Sequence, residues 1–279
     1  AGLAAAWELR LAGRPVIVVE PTDYDDIRTG EHLPPAGVSL LLQSTSRQCM
    51  DASQHAPSRG VESYWGSDEP AYNDYFLQYP NHGLNLARPA FDADFARACA
   101  AAGVTLLRRA RLIDVTRDDD GWTVSIKTTI GRSTIAASFL LDATGRAAFL
   151  SRRLGATIET HDNQIALACI ATDPQEGRDA TSLVEACASG WWYCAPLPGA
   201  RVLCMLATDI DLLTRNRRST LGAWWRDRLL ETRHVAQRFP PPSGSPTLHL
   251  RPAGSQCLTL CAGGRWIAAG DAACALDPL

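Results

Sequence analysis

The residues of this chain that could do chemistry sit at the ends of its apolar runs. Gly2 opens a helix-like stretch, and Glu20 closes the strand-like run after it, 18 residues on. A glycine at a helix N-terminus lets an anion reach the unpaired N–H groups there. A carboxylate about 20 residues later can accept hydrogen bonds from ribose hydroxyls. A second stretch is TGEHLPPAG, residues 29–37, where two prolines stiffen a loop. Glu31 in that loop is able to accept hydrogen bonds from a ligand, or to sit solvated on a surface turn. A third is LLDATGR, where Asp142 and Gly145 form a small-residue turn after a buried strand. Such turns lie at the carboxyl edge of a sheet, where open α/β folds bind ligands. A fourth is WIAAGDAACALDPL: Gly270 allows a polyol close to the backbone, and Asp271 can hydrogen-bond its hydroxyls. The aromatic run GWWYCAP offers Trp191, Trp192 and Tyr193 either as a pocket wall or as a half-buried strand.

These residues need elements to carry them. Residues 1–20 read helix, turn, strand, with the turn at Gly13. Residues 21–80 are rich in Pro, Gly, Asp and Ser and read as a long excursion with little periodicity, of the kind that is usually functional. Phe91, Phe95 and Ala98 share one face of a predicted helix over 91–102, and VTLL follows as a strand. Over 110–139 the alternation of Trp122, Val124 and Ile126, with turns at 118–121 and Gly131, predicts an antiparallel meander. Beyond it come the strand-like runs QIALACIA and RVLCMLAT and one long helix, LGAWWRDRLLETRHVAQRF, stopped by Pro240–Pro242. The chain thus leaves a nucleotide-binding type of sheet, visits a second region and returns.

Composition narrows the function classes. With 46% hydrophobic and 20% charged residues among 279, a normal core is expected. A net charge of −3 provides no basic field for nucleic acid. No apolar run is long enough to span a membrane, and no signal segment is visible, so a cytoplasmic protein is expected. The nine cysteines are scattered and read as buried thiols in a reducing compartment. The six histidines are dispersed, so no metal is expected. Lys127 is the single lysine.

Taken in order, AGLAAAWELRLAGRPVIVVE, TGEHLPP, LLDATGR and WIAAGDAACALDPL resemble the motifs of FAD-dependent oxidoreductases of the p-hydroxybenzoate hydroxylase-like superfamily. Within it, the chain is similar to the branch of flavin-dependent halogenases and geranylgeranyl reductase-like proteins. The four stretches span nearly the whole chain. The resemblance implies FAD as cofactor and an α/β fold, α+β overall. A discontinuous Rossmann-like FAD-binding domain would cover 1–154 and 253–279. An inserted, mostly antiparallel substrate domain would cover 155–252. Gly2 and Glu20 would contact the ADP half, with Asp142 and Gly145 in the cofactor-binding set. Gly270 and Asp271 would hold the ribityl chain, and the GEHLPP loop would lie near the isoalloxazine ring. Arg88 matches an arginine that the superfamily often places near the flavin, or it starts a surface helix. On the same ground Glu31 and Asp277 are the candidate acid–base residues.

Halogenases carry G-W-x-W-x-I-P beside the flavin and need a lysine amine. This chain reads GWWYCAP, and Lys127 falls in the meander. GWWYCAPLP also resembles FAD-dependent proteins, some of them maturation factors, that modify a side chain of another protein. The leading expectation is therefore a monooxygenase-like FAD enzyme acting on an aromatic or bulky apolar group of a small molecule or a partner protein. A maturation factor, a halogenase, an inactive nucleotide-binding remnant and an NAD-only dehydrogenase are the alternatives. Against the family pattern the chain starts after the first strand and stops at Asp277-Pro278-Leu279, so this stretch alone is expected to bind FAD poorly.

Overall fold

The computed structural model describes all residues except 26, 27, 29, 45–50, 174–179, 215–219, 240, 242, 243, 278 and 279. The first helix, α1 (Gly2–Leu11), buries Ala6 and Trp7. A turn at Gly13, with φ of 73°, leads into β1 (Ile17–Val19). The stretch read as an irregular excursion holds β2 (His32–Leu33), α2 (Pro35–Ser44), β3 (Ala56–Ser58), β4 (Gly60–Tyr64), β5 (Ala71–Asp74) and β6 (Gly83–Asn85). Periodicity could not reveal strands of two to five residues. Pro35 does not stiffen a loop; it begins α2, where the missing N–H has no helical partner to lose.

Helix α3 (Arg88–Ala101) begins three residues before the predicted start, with proline in its first turn. Next, β7 (Thr105–Leu107) pairs parallel with β1, Val18 opposite Leu106. The meander is as predicted: β8 (Arg111–Arg117), β9 (Trp122–Thr128) and β10 (Gly131–Ala137), all antiparallel. Then come β11 (Leu140–Asp142), α4 (Phe149–Arg153) and β12 (Ile158–Thr160). The long strands follow as β13 (Gln164–Thr172), β14 (Thr181–Cys187), β15 (Gly190–Leu197) and β16 (Arg201–Asp209). After α5 (Ile210–Thr214), α6 (Leu221–Leu230) and α7 (Val235–Arg238) the chain returns through β17 (His249–Pro252), β18 (Gln256–Leu258), β19 (Ala262–Gly263), β20 (Trp266–Ala268) and β21 (Cys274–Ala275).

The largest sheet has seven strands in the order β17-β13-β16-β15-β14-β4-β5. All its neighbours are antiparallel except β14 and β4. Two of its strands thus come from residues 60–74, far ahead of residue 155. Strand alternation splits its core in two. One face carries Leu167, Leu183, Trp192, Cys194 and Leu206, covered by Trp224, Trp225 and Leu229 of α6. The other carries Ala166, Ala168, Val184, Trp191, Tyr193 and Met205.

Two expectations are corrected here. The predicted long helix is two helices, α6 and α7, with a break around 232–234. A carboxylate from another strand causes the break: Glu185 accepts from the backbone N–H of Arg233 (2.7 Å), His234 (3.0 Å) and Val235 (2.7 Å). Those N–H groups are then lost to the i−4 ladder, as at any helix N-terminus. Secondly, the cysteines are not all thiols. Cys257 and Cys274 form a disulfide between the paired strands β18 and β21, while Cys99, Cys169, Cys194 and Cys204 are buried thiols.

Candidate functional site

Strands β11 and β20 lie side by side and parallel, Asp142 opposite Ala268. That register brings the turn after β11 and the turn after β20 to the same edge of the sheet. The N-terminus of α1 meets both. A Cβ on Gly2 would stand 3.1 Å from the Ala143 Cβ, and one on Gly270 only 2.7 Å from the Ala1 Cβ. Gly270 also has φ of 62°, a conformation side chains disfavour. At Gly270 only glycine lets these segments close, while at Gly2 a side chain would crowd Ala143.

A cavity of about 1080 Å³ opens where they meet. Its wall includes Ala1, Arg28, Arg88, Gly145, Gly270 and Asp271, and Arg251 reaches it from the edge strand of the large sheet. Four residues singled out in the sequence therefore share one cavity: Arg88, Gly145, Gly270 and Asp271. Gly2 and Glu20 lie one contact away. Glu20, just past β1, accepts from the Thr22 backbone N–H (3.0 Å) and pairs with Arg28 (3.1 Å). Arg28 also faces Asp92 (3.7 Å), which pairs with Arg88 (3.1 Å). Arg88 donates to the Gly30 carbonyl (3.0 Å), tying the GEHLPP loop to the cavity wall. Tyr24 lies buried beside this network; burial, and then the Glu20 charge, pushes its phenol up to about 12.

Other candidates fall elsewhere. Asp142 is fully buried and does not line the cavity. One oxygen accepts from the Thr144 N–H (2.9 Å) and hydroxyl (2.7 Å), the other from the Ser151 N–H and hydroxyl (both 2.7 Å). Both oxygens are committed to holding the turn that presents Gly145, so Asp142 has no oxygen left for a ligand. Asp277 accepts from Gln164 (3.0 Å) on β13 and is not among the cavity residues. Trp192 does not face a pocket: it packs on Trp225, ring centroids 5.0 Å apart, under α6. Trp191 and Tyr193 point to the opposite face, as strand alternation requires. Lys127 is exposed on β9. Pro278 and Leu279 lie outside the described residues.

Glu31 is buried at 6% exposure, next to Tyr193 rather than in the cavity itself. Sequence reasoning missed Arg28 and Arg251. Arg28 follows Glu20 by eight residues in a segment without periodicity, and Arg251 comes from a short edge strand; neither sits in a recognisable motif.

No family model matches the chain. By sequence it is 28% identical over 291 residues, its whole length and 76% of the relative, to LodB of Marinomonas mediterranea, which carries the provisional description FAD-dependent oxidoreductase. By structure it superposes on CmlS, a flavin-dependent halogenase, with a TM-score of 0.89 and 22% identity over the whole chain. The chain has the fold of the flavin-dependent halogenases and hydroxylases. It spans about half (52%) of the CmlS chain. Another such flavoenzyme-fold relative is the peptidyl tryptophan dihydroxylase QhpG, described as essential for tryptophylquinone cofactor biogenesis: TM-score 0.79, 24% identity, all of this chain and 59% of that one. These comparisons bear out the resemblance drawn from the sequence, and the cofactor and class they indicate are FAD and an oxidoreductase.

The flavoenzyme-fold cavity fits that group on its own terms. Its volume lies at the top of the usual range for small-molecule pockets. Gly145, with φ of 67°, is a wall position where a Cβ would meet nothing within 4 Å, so the backbone there stands open to a ligand. Among the described residues no helix is long and apolar enough to cross a membrane.

Proposed function

We propose that the chain belongs to an FAD-dependent oxidoreductase of monooxygenase type, acting on an aromatic or bulky apolar group. The observation that carries this reading is the cavity at the meeting of α1, the Gly145 turn and the Gly270 turn. Gly2, with α1 behind it, would receive the phosphates on unpaired N–H groups, and Glu20 the adenosine ribose. Gly145, Gly270 and Asp271 would hold the polyol chain, and Arg88 would keep the GEHLPP loop against the ring. FAD supplies the redox chemistry; these residues bind it, orient it and set its electrostatics. The α1 dipole and the guanidinium groups of the cavity would favour the negative charge of the phosphates.

A halogenase reading is weakened by the position of the single lysine, exposed on β9 away from the cavity. A second reading, action on a side chain of another polypeptide, is favoured by one surface feature. Beside the edge strand β5, Trp65, Tyr72, Phe76, Leu77 and Tyr79 are each more than half exposed. Large apolar side chains gathered at an open sheet edge suit a polypeptide partner.

The test is the visible spectrum of the protein purified with its natural flanking sequence. A bound flavin that dithionite bleaches and O₂ restores is the expected result. Absence of flavin, with no binding of added FAD, would overturn the reading. Uncoupled O₂ consumption that couples only when a partner protein is added would select the second substrate class over a free small molecule.

A further inference from the structure

The Cys257–Cys274 disulfide stands directly behind the cavity wall. It joins β18 to β21, and β21 starts two residues after the turn Gly270–Ala272, whose Gly270 and Asp271 line the cavity. Strand β21 also touches the turn Gly145–Ala147, so both glycine turns of the cavity lean on it. Yet β21 is only 2 residues long and lies at the edge of the three-stranded sheet β12-β18-β21. The Leu258 N–H donates to the Ala273 carbonyl (2.9 Å), and Cys257 lies opposite Cys274. A strand that short has little stability of its own. The disulfide spans a sequence separation of 17, closing a loop that contains β19, β20 and the Gly270 turn. Such a closure removes freedom that the open loop would have. The bond can also be reached. Cys257 and Cys274 are half-buried, and Cys261 beside them is exposed. The Cys261 thiol lies 3.8 Å from the Leu258 carbonyl and 3.9 Å from the Ala273 carbonyl, which belong to the chain neighbours of Cys257 and Cys274. A reagent that reaches Cys261 is therefore next to the bond. Cys169, Cys194 and Cys204, sealed in the core of the large sheet, offer no such access.

We propose that the Cys257–Cys274 bond is a thiol-operated clamp on the cofactor cavity. Closed, it holds the Gly270 turn in the shape that receives the cofactor; opened by a dithiol, it lets that turn loosen and the cofactor leave. The proposal rests on the FAD reading. The step is a two-electron exchange. A thiolate of the dithiol attacks one sulfur of the pair, the S–S bond breaks, and a mixed disulfide forms. The second thiol of the reagent then displaces the protein sulfur and closes the reagent's own disulfide. Cys257 and Cys274 end as thiols, having gained two electrons and two protons between them. Exchange with an oxidised dithiol reverses the step. The cavity residues themselves are not altered. What changes is the fraction of molecules that hold Gly270 and Asp271 in place, and the apparent affinity falls with that fraction.

The test uses the full-length protein, either air-oxidised or treated with dithiothreitol and desalted under nitrogen. Alkylation after unfolding, read by peptide mass, is expected to find Cys257 and Cys274 joined in the first sample and both alkylated in the second. The Kd for FAD should rise about tenfold on reduction, as it does when a binding turn keeps its bound shape about a tenth of the time. The backbone amides over 270–274 should exchange with deuterium faster in the reduced protein. Cys257→Ser combined with Cys274→Ser should behave like the reduced wild type and ignore the reagent. Cys261→Ser should still switch, since its thiol is not part of the bond. The proposal is overturned if Cys257 and Cys274 are alkylated without reduction, if reduction leaves the Kd unchanged, or if Cys261→Ser no longer switches. The wild type alone decides the first two should the double variant not fold. If neither sample binds flavin, the FAD reading itself falls, and the amide exchange rates still decide whether the bond holds the turn.

Discussion

Two buried carboxylates approach the large sheet from opposite faces, and they are treated differently. Glu185 lies on the helix-covered face. It accepts three backbone N–H groups, and the helical register after α6 is interrupted for its sake. Glu31 comes over the other face on a loop and lies by the Tyr193 phenol, whose hydroxyl has no completed partner. The first carboxylate spends three of its four acceptor sites on backbone N–H groups, and it holds structure. The second has spare capacity. The same split holds for the adjacent tryptophans: Trp192 is sealed under α6, while Trp191 shares its face with Tyr193. Burial alone does not mark function; what distinguishes the two faces is whether the buried polar groups are satisfied.

The largest test of that split is Trp192→Ala. The side chain is fully buried against Trp225, so its loss should cost about 4 kcal/mol of stability, the usual range for a core tryptophan. Urea unfolding would measure it. A loss below about 1 kcal/mol would mean that the helix-covered face is not the rigid one. Next comes Glu185→Ala, expected to cost about 3 kcal/mol because three N–H groups lose their acceptor at once. If the cost is only a few tenths, water reaches those groups and Glu185 resembles Glu31 after all.

Asp142 tests whether a candidate read from the sequence belongs with Glu185 or with Glu31. Its two oxygens accept four hydrogen bonds, so Asp142→Asn replaces an acceptor with a donor facing donors. The expected cost is about 2 kcal/mol in thermal or urea unfolding. A specific loss of flavin binding with normal stability would restore Asp142 as a ligand-binding residue.

The Asp142 case also shows which parts of the site were legible in the sequence. Glycine turns are local: a strand, a small-residue turn and a helix-like run identify themselves, and β11 with β20 brought the two turns together as the motif order implied. The meander was legible because alternation around DDDG is a short-range signal. Side-chain direction was not. GWWYCAP announces a strand, but alternation says only that Trp191 and Trp192 part company, not which of them meets α6. The break between α6 and α7 was invisible for a related reason: its cause, Glu185, lies 48 residues before Arg233 in the chain. Arg251 entered the cavity wall by the pairing of β17 with β13, which no local pattern records.

The smallest effect is the most discriminating. Tyr193→Phe removes one hydroxyl from a buried site and leaves the ring to fill the same space. If that hydroxyl is bonded to neither Glu31 nor Ser182, removing it should raise stability by about 1 kcal/mol, since a buried polar group without a partner carries its full desolvation cost. Were the cost instead near 2 kcal/mol, the phenol would be closing a complete network, and Glu31 would be a second Glu185, held for structure. Raised stability keeps the faces of the sheet distinct, whereas a large stability loss makes them alike.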